Sequence, residues 1–158
     1  QDETLVQGDI LDDCPMATVA DHAPDRLDQA RLDFHRGIFL TQTCDIANAK
    51  MEFLVVATIF DAQTLIDLGV IKAADVKGPL CAGRMWGLYF LPEHADAGIG
   101  EMIVDIRRLH SIRVGVMDGL RLSGKRRLRL LTPYREHLAK HFADTYSRIG
   151  LPRPYETL

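Results

Sequence analysis

The chain predicts a mainly β fold, a small twisted β-barrel with helical additions. Three observations lead there: short apolar runs rich in β-branched residues recur along its length, turn residues separate them, and one clear amphipathic helix comes last. With 158 residues, 47% hydrophobic and 26% charged, it fits one domain over 1–158 with enough apolar material for a real core.

Leu5-Val6-Gln7-Gly8-Asp9-Ile10-Leu11 reads as a first strand interrupted at Gly8, and Cys14-Pro15 reads as a break after it. Asp21 to Arg31 mixes Asp, Ala and Pro without an apolar period, so a mobile loop is expected there. Arg36 to Leu40 forms the next strand. Its end runs straight into Thr41-Gln42-Thr43-Cys44-Asp45-Ile46-Ala47-Asn48, where hydroxyls, an amide, a thiol and a carboxylate follow a rigid apolar segment. Phe53 to Phe60 is apolar on both faces, as a strand covered on both sides requires. Asp61 caps a short helix reaching Leu68, Gly69 ends it, and Ala73 to Lys77 adds a turn. Trp86 to Leu91, stopped by Pro92, and Glu101 to Ile106 are two more strands. Ser123-Gly124 marks a hairpin turn between Leu120-Arg121-Leu122 and Arg127-Leu128-Arg129-Leu130, with arginines on one face. Thr132 as cap, Pro133 at the first helical position, and Leu138, Phe142, Tyr146 and Ile149 at helical spacing give a C-terminal helix over 133–149.

The net charge is −3, which on its face argues against nucleic acid, but the charges are segregated. Residues 1–60 hold 11 acidic and 4 basic groups, whereas 107–135 hold 9 basic groups opposed only by Asp118. That basic stretch, with Arg107, Arg108, Arg121, Arg127 and Arg129, is either a solvated face or an anion-binding one. Three cysteines at unrelated spacings, Cys14, Cys44 and Cys81, indicate neither a disulfide framework nor a zinc motif. No apolar run approaches the roughly 20 residues that span a bilayer, and Gln1-Asp2-Glu3 is unlike a signal peptide. A cytoplasmic protein without membrane contact is expected.

Several of these segments, in order, resemble the PemK/MazF-like toxins. Gly8-Asp9-Ile10 is similar to the family's opening strand, and Arg36-Gly37 stands where the family has an Arg-Pro step. Gln42, Asp45-Ile46 and Asn48 precede Leu54-Val55-Val56-Ala57 as in some members. Ile103-Val104-Asp105-Ile106-Arg107 is similar to a late family segment that a C-terminal helix follows. The chain departs in Gly37, in Lys50-Met51-Glu52 where the family places Ser or Thr, and in extra length at 61–83 and 120–131. The resemblance implies an SH3-like barrel with an insertion at 61–83. It further implies a metal-independent, cofactor-free endoribonuclease acting on single-stranded RNA, a homodimer, and an antitoxin or other protein partner.

Such chemistry needs a base for the 2′-hydroxyl, a cation for the pentacoordinate phosphate and an acid for the leaving 5′-oxygen. The resemblance puts the cation at Arg36; His35 beside it suits proton transfer, and Gln42, Asp45 and Cys44 complete the candidate site. Arg107, Arg108, Arg121, Arg127 and Arg129 are the candidate RNA contacts. A second reading is a non-catalytic binding or regulatory module in a bacterial multi-protein system. A third is a cysteine enzyme, with Cys44 activated by His35 or His110 and Asp45 orienting the base. His137 and His141 stand at i, i+4 spacing, but without a third ligand no metal is expected.

Overall fold

The computed structural model describes residues 4–19, 30–48 and 51–147. Six strands form one antiparallel sheet: β1 (Asp9–Val19), β2 (Ala30–Phe39), β3 (Phe53–Asp61), β4 (Leu88–Leu91), β5 (Met102–Arg113) and β6 (Arg126–Arg129), in the order β4-β5-β3-β2-β1-β6. The helices are α1 (Thr43–Ala47), α2 (Ala62–Asp67), α3 (Ala73–Asp75), which runs into a π-helical turn at Val76–Leu80, α4 (Val114–Leu122) and α5 (Tyr134–Tyr146). The fold is mainly β with helical additions, and none of the described helices is long and apolar enough to cross a membrane.

β3 explains the layering. Ala57 and Ile59 face one core with Ile10, Ile38, Val104 and Leu138, whereas Leu54 and Val56 face a second with Leu11, Phe39 and Met117. Alternate side chains of one strand serve opposite faces, so a strand apolar on both faces demands two covers. α5 supplies one through Leu138 and Phe142; α4 supplies the other through Val114, Met117 and Leu120. The α2–α3 segment closes a third cluster around Ala62, Val76, Leu80 and Ile103. The sheet coils until its edge strands line one cleft, Tyr89–Pro92 on one side and Leu128–Leu131 on the other. Side chains, rather than a ladder between β4 and β6, close the gap.

Two irregularities shape the sheet. In β1, Asp12 and Asp13 stand between the pairs Leu11↔Gly37 and Cys14↔His35, so two residues oppose Arg36 alone; Asp13 takes a φ of 58°. In β5, Ile106, Arg107 and Arg108 are looped between Leu109, which pairs with Ala57, and Asp105, which pairs with Thr58. Gly87, at φ 71°, makes room for this bulge: a Cβ there would sit 2.6 Å from Arg107 Cγ. The Ile106 N–H donates to the Gly87 carbonyl at 2.9 Å.

Four sequence expectations change. The first strand does not stop at Cys14-Pro15: it begins at Asp9 and continues to Val19, because the bulge absorbs the irregularity and β6 pairs only with Asp9–Leu11, which leaves Pro15 on an edge where a missing N–H breaks no ladder. The Leu120–Leu130 hairpin is absent. Leu120–Leu122 belong to α4, whose Val114, Met117 and Leu120 recur at helical spacing, and Arg126–Arg129 pair with β1 instead. The last helix starts at Tyr134 with Pro133 as its cap. Arg31 lies in β2 rather than a loop, while 21–29 and Ile149 lie outside the described residues. Asp61 caps α2 as its position predicts, accepting from the Thr64 N–H at 2.8 Å.

The segregated charges are resolved by strand pairing. Acidic β1 lies beside basic β6, so that Asp9 meets Arg129 at 2.5 Å, Asp12 meets Arg127 at 3.2 Å and Asp13 meets Lys125 at 2.6 Å. What reads along the chain as an acidic half and a basic half is in space an interleaved ladder.

Candidate functional site

Where β5 bulges, the far ends of β1 and β2 border, together with it, an open cavity of about 470 Å³. Its walls include His35 and Asp33 from β2, Met16 and Thr18 from β1, Thr58 and Phe60 from β3, and Arg107, Arg108 and His110 from β5. The bulge is the reason two consecutive arginines reach one cavity, since regular alternation would send them to opposite faces.

Asp105, almost fully buried, anchors both. Arg107 grips it with two hydrogen bonds, Nε to Oδ1 at 2.8 Å and Nη2 to Oδ2 at 2.9 Å, and that pairing raises the Arg107 pKa. Arg108 approaches Asp105 Oδ2 at 3.6 Å, lies 5.4 Å from the centre of the Phe60 ring, and keeps 67% of its side chain exposed. It is the guanidinium with more donors to offer a ligand. Phe60 also meets the His35 ring, at 6.1 Å. The pKa of His110 is lowered, first by burial and then by the positive charge of His35 and of Arg108. Its neutral form is therefore favoured near neutrality. The cavity holds two imidazoles within electrostatic reach of each other, one of them biased toward the base form, with two cations at its rim.

The remaining sequence candidates are distributed elsewhere. Arg36 turns toward the β1 bulge, where its Nε donates to Asp12 Oδ1 at 2.6 Å and a terminal nitrogen approaches Met102 Sδ at 3.3 Å. It braces β1 against β2. Gln42, Cys44 and Asp45 do cluster, on α1: Cys44 Sγ lies 3.6 Å from Gln42 Oε1 and 3.8 Å from Asp45 Oδ1. Among the described residues their hydrogen-bond partners include neither Arg36 nor a histidine. Of the five arginines expected to meet RNA, Arg107 and Arg108 reach the cavity. Arg121 is largely buried against Asp118, Arg127 pairs with Asp12, and Arg129 pairs with fully buried Asp9.

The residue the sequence undervalues is His110, which it offers only as a partner for Cys44. Arg107-Arg108-Leu109-His110 places two cations and an imidazole within four residues, a usable signal; its pairing with His35 depends on the bulge and on the curl of β1, which no local pattern encodes.

A second cavity, of about 510 Å³, lies between α5 and β4 and is lined by His137, His141, Lys140, Asp144, Tyr89 and Tyr134, with Cys81 at its edge. The two helix histidines share it as their spacing suggests, and His141 Nε2 is buried without a hydrogen-bond partner among the described residues. No cluster of three metal-ligating side chains occurs among the described residues. No protein-family model matches this chain, and no curated protein does either.

Proposed function

We propose that this chain is a metal-independent endoribonuclease acting on single-stranded RNA in the cytoplasm, in the manner of the PemK/MazF-like toxins it resembles, with the His35–His110 cavity as its site. One observation carries the reading: two imidazoles from different strands share a cavity with two guanidiniums and an aromatic ring. Neutral His110 takes the proton of a ribose 2′-hydroxyl, and that oxygen attacks the adjacent phosphorus. Arg108 and Arg107 stabilise the charge gathered on the pentacoordinate phosphate. His35 gives a proton to the departing 5′-oxygen, which leaves a 2′,3′-cyclic phosphate and a 5′-hydroxyl. Phe60, already stacked by Arg108, offers a face to a base, as single-strand binders use aromatic rings.

The test is incubation of the purified protein with mixed single-stranded RNA in excess chelator. The proposal expects cleavage to cyclic-phosphate ends, lost by about 10²-fold or more in His35→Ala and in His110→Ala with the fold intact. RNA left intact by the wild type, with binding retained, would replace the enzyme by a non-catalytic RNA-binding module.

A further inference from the structure

β3 leaves β2 at Arg36. Beyond that point β1 and β2 continue as a two-stranded arm, Cys14–Val19 against Ala30–His35. Pairing of Pro15 with Phe34, Ala17 with Leu32 and Val19 with Ala30 puts six apolar residues on one face. Val19, Leu32 and Phe34 are each more than half exposed. The opposite face carries Thr18, Arg31, Asp33 and His35; Thr18, Asp33 and His35 line the two-histidine cavity, whose border Ala17 and Val19 also reach. Along Ala30–His35 the outer edge of β2 has no backbone partner among the described residues. An open edge flanked by apolar side chains is a template for another strand.

We propose that this edge pairs with the same edge of a second copy of the chain, antiparallel and centred on Leu32. The side chains select both the partner and the register. A two-fold axis normal to the sheet keeps each face on its own side, so only registers that pair like-facing residues exist. Centred on Leu32, Arg31 faces the partner's Asp33 on both sides of the axis, Leu32 faces the partner's Leu32, and Ala30 faces the partner's Phe34. Centring on Asp33 would oppose two carboxylates, and centring on Arg31 two guanidiniums, both unfavourable directly across a ladder. Within one chain Arg31 already holds Asp33, at 2.8 Å; dimerisation exchanges that contact for its intermolecular twin. Because Asp33 lines the cavity, the partner's Arg31 arrives at its rim beside His35 and adds a third cation there. The pairing is argued from the arm alone and does not depend on RNA cleavage.

Sedimentation of the purified chain tests it. The wild type is expected to dimerise. Asp33→Arg, which sets arginine against arginine, should raise the dimer dissociation constant by about tenfold or more, and the charge-swapped double variant Arg31→Asp/Asp33→Arg should restore it. In a background with Cys44 and Cys81 changed to serine, Leu32→Cys should form an intermolecular disulfide on mild oxidation, since its partner lies directly across the axis, whereas Ala30→Cys should not. A wild-type chain that stays monomeric at the highest attainable concentration overturns the proposal. So does a dimer that withstands Asp33→Arg and that Leu32→Cys fails to cross-link.

Discussion

Replacing Arg129 by alanine should destabilise the protein severely while leaving any RNA affinity of the folded molecules unchanged. Arg129 spans 120 residues of sequence to reach Asp9, giving Nε to Oδ1 at 2.5 Å and Nη2 to Oδ2 at 3.0 Å, and it also donates to the Thr4 carbonyl at 2.6 Å. Asp9 is fully buried, and apart from Arg129 its carboxylate accepts from the Val6 N–H at 3.1 Å. Truncating the arginine leaves a buried carboxylate that, among the described residues, keeps only the Val6 amide as donor. Breaking a buried pair in this one-sided way costs about 3–5 kcal/mol. Against a total stability of about 5–15 kcal/mol, that is a large fraction. In a domain of this size it corresponds to a fall in Tm of about 10 °C. Urea melts of the wild type, Arg129→Ala, Arg129→Lys and Asp9→Asn/Arg129→Leu should rank the double variant well above Arg129→Ala, because it strands no charge. Lysine should fall between wild type and alanine, since it keeps the charge and loses the fork. An Arg129→Ala midpoint within about 0.5 kcal/mol of wild type, the range of ordinary surface substitutions, together with weakened RNA binding, would refute the structural role and return Arg129 to the RNA face.

Gly37→Ala should cost about 1–3 kcal/mol by overpacking, since its Cβ would lie 2.6 Å from Val56 Cγ1 and 3.0 Å from Cys14 Sγ; urea melts should show part of the loss recovered in a Val56→Ala background. Burial pushes the Cys14 thiol up to about 12, so a thiol reagent at neutral pH should titrate exposed Cys44 and Cys81 promptly and Cys14 only after denaturation. The lowered pKa of His110 carries a definite sign: its contribution to stability is complete above the ordinary 6.5 and is lost as pH falls from there through the folded-state value. With His110 as base, the acid limb of the cleavage profile should lie below 6.5 and move upward in His35→Ala, which removes one of the charges that lowers it.

Legibility in the sequence followed the range of the interactions. The double-faced strand Phe53–Phe60, the Asp61 cap and the C-terminal helix were readable because alternation, capping and helical spacing are local. β6 departs from the expected hairpin although Ser123-Gly124 is a genuine turn, with Gly124 at φ 77°, because a turn does not say which strand its product will join. The site divides in the same way. His35, Arg107 and Arg108 carry the right chemistry in their side chains, but their meeting depends on a bulge of Ile106–Arg108 that shifts register between Thr58 and Ala57. Arg36 resembles a catalytic cation until Asp12, displaced by the β1 bulge, is seen to occupy it.

The ladder between β1 and β6 also sets an order of events. β1 leaves the ribosome ahead of the other described strands, and residues 126–129 emerge more than a hundred residues after it. Translation at about 5–20 residues per second leaves the edge of β1 uncovered for several seconds or more. In that interval Asp9, Asp12 and Asp13 stand along the bare edge as like charges, and a charged edge resists pairing with another chain. The carboxylates that later lock the sheet to Arg129, Arg127 and Lys125 thus first shield the nascent strand from aggregation, and the arrival of the basic strand covers Asp9–Leu11 and ends the repulsion.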